Sequence, residues 1–222
     1  MKFLHSLKNC RAFLKGDIHP SDTCSVVGNS GVLLKQNNGT IIDSAEQVIR
    51  FNWAKCNGFE NHVGRKTTIR VVNCHLILNI DNKEYFKVQK QRYPSLDRYE
   101  LYNFKDEIIV FKTDPSWQLW KKKEIISKVE KNNEVFFIHE DFYNLAKKIN
   151  NNKEASNGFI GVLLSLRNNV TTNCFGFSFY KDNEKKHYYE KVVYDKQHLG
   201  HNFDLEHKWF SLFEKNKLIK IY

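Results

Sequence analysis

The chain has no run of about 20 consecutive apolar residues, the length a membrane-spanning helix needs. It has no CxxC pair either. Its five cysteines, Cys10, Cys24, Cys56, Cys74 and Cys174, stand at no metal-ligand spacing, so a zinc site is not expected, and their odd number leaves at least one thiol free. Neither a GxGxxG nor a GxxxxGK[ST] sequence occurs, which removes the two commonest glycine-rich phosphate loops. Proline is scarce, at 3 residues in 222, and no repeat or low-complexity linker divides the chain. A single domain spanning 1–222 is therefore expected, and 41% hydrophobic and 14% aromatic residues suffice for its core. Lys and Arg outnumber Asp and Glu by 35 to 25, a net charge of +10 that suits nucleic acid, an anionic membrane or an anionic small substrate.

The N-terminal segment, residues 1–20, interleaves Lys and Arg with its few apolar residues and reads as neither signal peptide nor membrane anchor. It predicts a helix packed on the domain, although Phe3, Leu4, Leu7, Phe13 and Leu14 among basic residues also suit a short interfacial helix.

Short β-forming runs alternate with helical periodicities along the rest of the chain. Strands are predicted at Ser25–Val27, Val48–Asn52, Ile69–Cys74, Glu107–Lys112, Glu134–Ile138, Asn173–Tyr180 and Leu218–Tyr222. Helices are predicted over Trp117–Lys131, after Asp141 as a cap, over Phe159–Leu166 behind Ser156, and after Asp204 as a cap. The alternation gives an α/β fold: a single, mainly parallel sheet with helices on both faces. Such sheets bind ligands outside the carboxyl ends of their strands.

Polar residues gather at those ends. Gly28-Asn29-Ser30-Gly31 follows the first strand as a turn whose backbone can approach a ligand, with ordinary turn chemistry as the alternative. Period two places Arg50 and Asn52 on one face of the second strand, and Asn73 and His75 end the third. Ser156-Asn157-Gly158 opens a helix with free backbone N–H groups, suited to a phosphate or simply to capping. Asp81–Asn103, rich in Tyr, Lys and Arg, reads as a helix fragment and a variable surface loop rather than a nucleic-acid platform. His187 and His201 lie late in the chain beside aromatic and acidic residues, and imidazole is the side chain suited to proton transfer near neutrality.

Four segments together resemble the sialylmotifs of the animal-type sialyltransferase family. The long motif resembles Cys24–Asn73, with CSVVGNSG, IDSAEQVIRFNWA and GFENHVGRKTTIRVVN in order. The small motif resembles Ala155–Phe177, the third His187-Tyr188-Tyr189-Glu190, and the shortest the pair His201 and Glu206. The resemblance implies a Rossmann-like variant of the GT-A glycosyltransferase fold. It implies inverting transfer of sialic acid from CMP-sialic acid to a hydroxyl of a glycan or glycolipid, without cofactor or metal. No Asp-x-Asp pair occurs in the chain, which fits a donor carrying one phosphate.

Carried over by motif, Asn29, Ser30 and Asn52 contact the nucleotide and phosphate. Ser156, Asn157 and Gly158 hold ribose or phosphate, and Phe177 lines the pocket. His201 is the expected general base, His187 stabilises the departing phosphate, Tyr188 and Tyr189 line the cleft, and Glu206 orients the His201 loop. The family links a Cys before the GNSG loop to one in the small motif. Here Cys24 holds the first position but Asn169 the second, so that disulfide is not expected and a reducing compartment fits. Nothing in residues 1–20 resembles the anchor and stem of Golgi members, and a minimal catalytic domain is expected. The expected location is cytoplasmic or peripheral to a membrane if the chain is complete, and the Golgi lumen if an anchor was removed. Nucleic acid is not an expected partner. The alternatives are a transferase for another CMP-nonulosonic acid, such as Kdn or Kdo, and a non-catalytic CMP- or glycan-binding protein of the same fold.

Overall fold

The computed structural model describes residues 2–73, 82–92, 100–112, 122–179, 187–190 and 200–222. Seven strands form one sheet: β1 (Ser21–Val27), β2 (Gln47–Phe51), β3 (Ile69–Asn73), β4 (Ile108–Lys112), β5 (Glu134–Phe137), β6 (Asn169–Phe175) and β7 (Ile219–Ile221). Their order is β5-β4-β3-β2-β1-β6-β7, and every neighbouring pair is parallel. The described helices are α1 (Lys2–Asn9), α2 (Gly39–Asp43), α3 (Glu60–Val63), α4 (Lys83–Arg92), α5 (Lys123–Glu130), α6 (Glu140–Ile149), α7 (Asn157–Asn168) and α8 (Phe203–Lys215). No described helix is long and apolar enough to cross a membrane.

The strands are apolar on both faces, as a sheet covered on both sides requires. Val26, Ile49, Val71, Val110 and Phe136 pack with Phe142, Phe159 and Phe210 from α6, α7 and α8. Val72, Ile109 and Phe111 pack with Phe86 of α4 and Ile125 and Val129 of α5. Val27, Val48 and Phe175 pack with Ile42 of α2 and Val63 of α3. α7 is buried without a break from Phe159 to Leu166, which explains why its sequence carries no polar stripe. α1 lies against the first of these cores: Leu7 is fully buried, and Phe3 meets the rings of Trp209 and Phe213 at 5.3 and 6.1 Å.

Several local expectations change. β6 begins at Asn169 and ends at Phe175, because its polar first half is held by pairing with β1 rather than by burial of side chains. His139, not Asp141, caps α6 by accepting from the Asp141 N–H, and Asn202, not Asp204, caps α8. Both carboxylates sit instead in the first turn, where the helix dipole favours them. Arg50 and Asn52 do not share a face. Strand β2 stops at Phe51, and Asn52 adopts a left-handed φ of 49°, which breaks the alternation. Arg50 is wholly buried and donates to the carbonyls of Val63 and Lys66 and to Thr67 Oγ1, a structural role. Cys74, His75, Trp117, Trp120 and Tyr180 lie outside the described residues.

Candidate active site

The strand order reverses between β1 and β6, so the crevice of this sheet opens at their carboxyl ends. There the Gly28 N–H donates to Phe175 O (2.7 Å) and the Ser30 N–H to Gly176 O (3.3 Å). A Cβ on residue 28 would lie 2.4 Å from Gly176 O, so only glycine lets the two backbones meet. The Ser30 hydroxyl donates to Ser178 Oγ (2.9 Å) and accepts from the Val32 N–H (3.3 Å), capping a 3-10 turn over Gly31–Lys35. Asn29 projects beyond this crossing. Its carbonyl accepts from the Tyr188 N–H (2.8 Å), its Nδ2 lies 3.5 Å from Tyr189 Oη, and its buried Oδ1 has no partner.

The segment His187–Glu190 is thereby seated on the GNSG loop. Tyr188 is buried, packs edge-on against Phe59 at 5.1 Å and donates its hydroxyl to Lys55 O; burial also raises its phenol pKa. It anchors the segment through its ring and its hydroxyl. Tyr189 stacks on His187 (5.2 Å, 17°). The His187 Nδ1–H donates to Glu190 Oε2 at 2.5 Å, and Glu190 is itself buried.

A second group of residues surrounds the N-terminus of α7, which lies across the ends of β2, β3 and β4. Asn52 Oδ1 accepts from the Asn73 N–H (2.9 Å) and from Asn157 Nδ2 (3.1 Å), tying two strand ends to the helix. Asn157 Oδ1 is buried without a partner. Asn52 is held in turn by Arg70, which donates to Asn52 O (2.9 Å), grips Glu107 through two bonds (2.6 and 2.9 Å) and covers the Phe104 ring at 3.9 Å. Ser156 caps α7 by accepting from the Phe159 N–H (3.1 Å), while its own N–H and hydroxyl donate to Glu206 at 2.8 and 2.6 Å. Gly158 leaves room for Phe177: a Cβ there would lie 2.8 Å from that ring. Phe177 packs on Phe210 at 4.8 Å. The His201 ring nitrogen Nδ1 lies 2.9 Å from Glu154 O, and because a carbonyl only accepts, Nδ1 carries a proton in this contact.

The sequence matches glycosyltransferase family 29 (sialyltransferase) over residues 2–218. The chain belongs to this family. Among curated proteins, the β-galactoside α-2,6-sialyltransferase 2 of Homo sapiens is 32% identical over 174 residues, covering 67% of this chain and 30% of that protein. The Xenopus tropicalis protein of the same name is 26% identical over 182 residues, with 78% and 35% covered. The chain thus spans about a third of the length of these relatives. Its fold is that of a mammalian sialyltransferase solved in complex with Gal-β-1-3GalNAc-ortho-nitrophenol: TM-score 0.66, 20% identity, 100% of this chain and 78% of that one covered. The α-2,3-sialyltransferase Cst-I of Campylobacter jejuni shares it with TM-score 0.55 and 14% identity, over 96% and 79% of the two chains.

Within this family-29 frame the structure brings Asn29, Ser30, His187, Tyr188 and Tyr189 into one contiguous group, and Asn52, Ser156, Asn157, Glu206 and His201 into a second. Sequence reasoning overlooked Glu190, Arg70, Glu154 and Lys112, which hold the site residues from behind. Lys112 carried the same signal as Asn73, a polar residue closing an apolar strand. Glu154 carried none, because it meets His201 through its backbone carbonyl. Cys24 is free and buried, and burial pushes its thiol pKa up to about 12. Asn169 joins β1 to β6 by hydrogen bonds, accepting from Ser21 N–H (3.0 Å) and Oγ (2.8 Å). Among the described residues no group of three His, Cys, Asp or Glu side chains could hold a metal ion.

Glu206 supports a prediction about stability. Its burial raises the carboxyl pKa from 4.5 to about 7, against the lowering effect of the Ser156 bonds. Between those values the folded chain binds more protons than the unfolded chain, so stability falls as pH rises through that window. The loss is expected to be on the order of 3 kcal/mol. Urea melts between pH 4.5 and 8 should show this decline in the native chain and a flatter profile in Glu206→Gln. Equal slopes would mean that Glu206 does not titrate there.

Proposed function

We propose that the chain transfers sialic acid from CMP-sialic acid to a hydroxyl of a terminal sugar on a glycan or glycolipid, with inversion and without a metal. Above all, the reading is supported by the two histidines of the sialylmotif-like segments being held at Nδ1 in different ways: His201 by a neutral carbonyl, His187 by a carboxylate. His201, with Nε2 unprotonated, suits the general base. The acceptor oxygen attacks the anomeric carbon as its proton passes to Nε2, and the bond from that carbon to the phosphate oxygen breaks with its electrons going to CMP. His187 in its imidazolium form gives Nδ1–H to Glu190 and Nε2–H to the phosphate, stabilising the charge that appears there.

The hydroxyls of Ser30 and Ser156 are already engaged within the protein, so their roles are to shape the loop and the helix start. The partnerless Oδ1 atoms of Asn29 and Asn157 are better placed to receive donors from base or ribose. The net charge of +10 favours capture of an anionic donor, which makes association sensitive to salt.

The direct test is CMP release from CMP-sialic acid, with EDTA present, across galactose- and GalNAc-terminated acceptors. Acceptor-dependent release is expected. Turnover of CMP-Kdn or CMP-Kdo alone would change the sugar assigned. CMP-sialic acid binding without transfer to any acceptor would make the chain a binding protein.

A further inference from the structure

Lys112 closes β4 and is almost completely buried, at 2% exposure, in a position the reaction itself leaves unused. Its ammonium lies 2.8 Å from Glu154 Oε1 and donates to Ala155 O, so one cation grips two successive residues of the turn that precedes α7. That turn carries three groups of the site. Glu154 O accepts from His201 Nδ1–H at 2.9 Å, and the next residues, Ser156 and Asn157, meet Glu206 and Asn52. Register places Lys112 opposite Asn73, whose N–H is bound to Asn52, so the ends of β2, β3 and β4 hold the turn jointly.

A lysine buried this fully loses side-chain entropy and hydration, which a surface turn does not need. The polar strand end at Asn73 uses an uncharged side chain and a backbone N–H for a similar join. The charge at residue 112 binds the Glu154 carboxylate and the Ala155 carbonyl, on either side of the Glu154 carbonyl, which accepts from Asn150 Nδ2 (3.2 Å) as well as from His201 Nδ1–H.

We propose that Lys112 is the positioning residue of the general base, holding the Glu154 carbonyl where it keeps His201 protonated at Nδ1 and basic at Nε2. The role of His201 as base rests on the function proposed above; the control of its tautomer by Lys112 does not.

The test uses 15N-histidine-labelled protein, with the His201 signal assigned by its absence from His201→Ala. In the native chain the neutral ring is expected as the Nδ1–H tautomer. In Lys112→Met it should become a mixture of tautomers, and Lys112→Arg should restore the native form. The double variant Lys112→Met/Glu154→Gln removes both charges, keeping the test available if the single variant does not fold. Transfer measured alongside should show kcat lowered roughly 10- to 100-fold in Lys112→Met, the range seen when an outer partner of a functional ring is removed. The donor KM should stay within about 2-fold, since the turn acts through the base rather than on the nucleotide. A folded variant with the His201 tautomer unchanged would overturn the proposal. If the native chain transfers nothing, the spectrum alone decides on Lys112, and the function falls separately.

Discussion

Replacing His201 with Ala is expected to lower kcat for sialyl transfer by about 10³-fold, within the range that a well-placed general base contributes. On the proposed mechanism the substitution removes the group that receives the acceptor proton, while the proposed nucleotide contacts at Asn29 and Asn157 stay in place. KM for the donor should therefore change little, and the loss should appear in kcat. The fold should survive. His201 is only partly buried, it precedes α8 rather than lying within it, and its contacts with Glu154 O and the Phe203 ring (5.5 Å) stand outside the cores. Losing such a bond costs about 1 kcal/mol. Steady-state transfer assays with thermal melts of the same preparation check both parts. Unchanged turnover would remove His201 from the chemistry.

The second large effect is expected at Gly28. An alanine there places Cβ 2.4 Å from Gly176 O and 3.0 Å from Gly176 C, both backbone atoms of the strand end that β1 depends on. Neither can rotate away. Relief requires β1 and β6 to separate at the crevice, breaking the bonds from Gly28 N–H to Phe175 O and from Ser30 N–H to Gly176 O. A cost of about 3 kcal/mol is expected for such overpacking. For a chain of this size that lowers Tm by roughly 6 to 12 °C. CMP affinity should fall with it, because Asn29, whose carbonyl seats the Tyr188 N–H, is carried on the same loop as Gly28. Gly200→Ala is the matched control, since a Cβ at that position meets nothing within 4 Å among the described residues. A Gly28→Ala chain melting with the native chain would show that the crossing can yield.

The alternation of β and α periods made the parallel sheet legible, since Ile108–Lys112 is apolar at every position but its last and Ile69–Asn73 at every position but Arg70 and its last. Their polar last residues marked the strand ends, and so the side of the sheet that carries the site. Three features were hidden. Asn52 looked like the next residue of a strand, and only its left-handed backbone turns it toward α7. Tyr188 looked like a pocket ring, but its burial depends on Phe59 and Lys55, more than a hundred residues away in sequence. Ser30 and Ser156 looked like ligand hydroxyls until their partners, Ser178 and Glu206, came into view. Residue type announces what a group can donate or accept; whether that capacity is already spent is decided by tertiary contacts.

β1 lies inside the sheet between β2 and β6, and one of these two neighbours arrives late: Ser21 bonds to Asn169 across a sequence separation of 148 residues. A chain emerging from the ribosome can pair β1 with β2 early, but the other edge of β1 stays open until β6 has been made. Contacts so distant in sequence slow folding, and an unpaired strand edge invites misassociation in the meantime. The crevice has no precursor in the first half of the protein. It comes into being only when the last third joins, so shortened chains that keep the whole long motif would still lack a binding site.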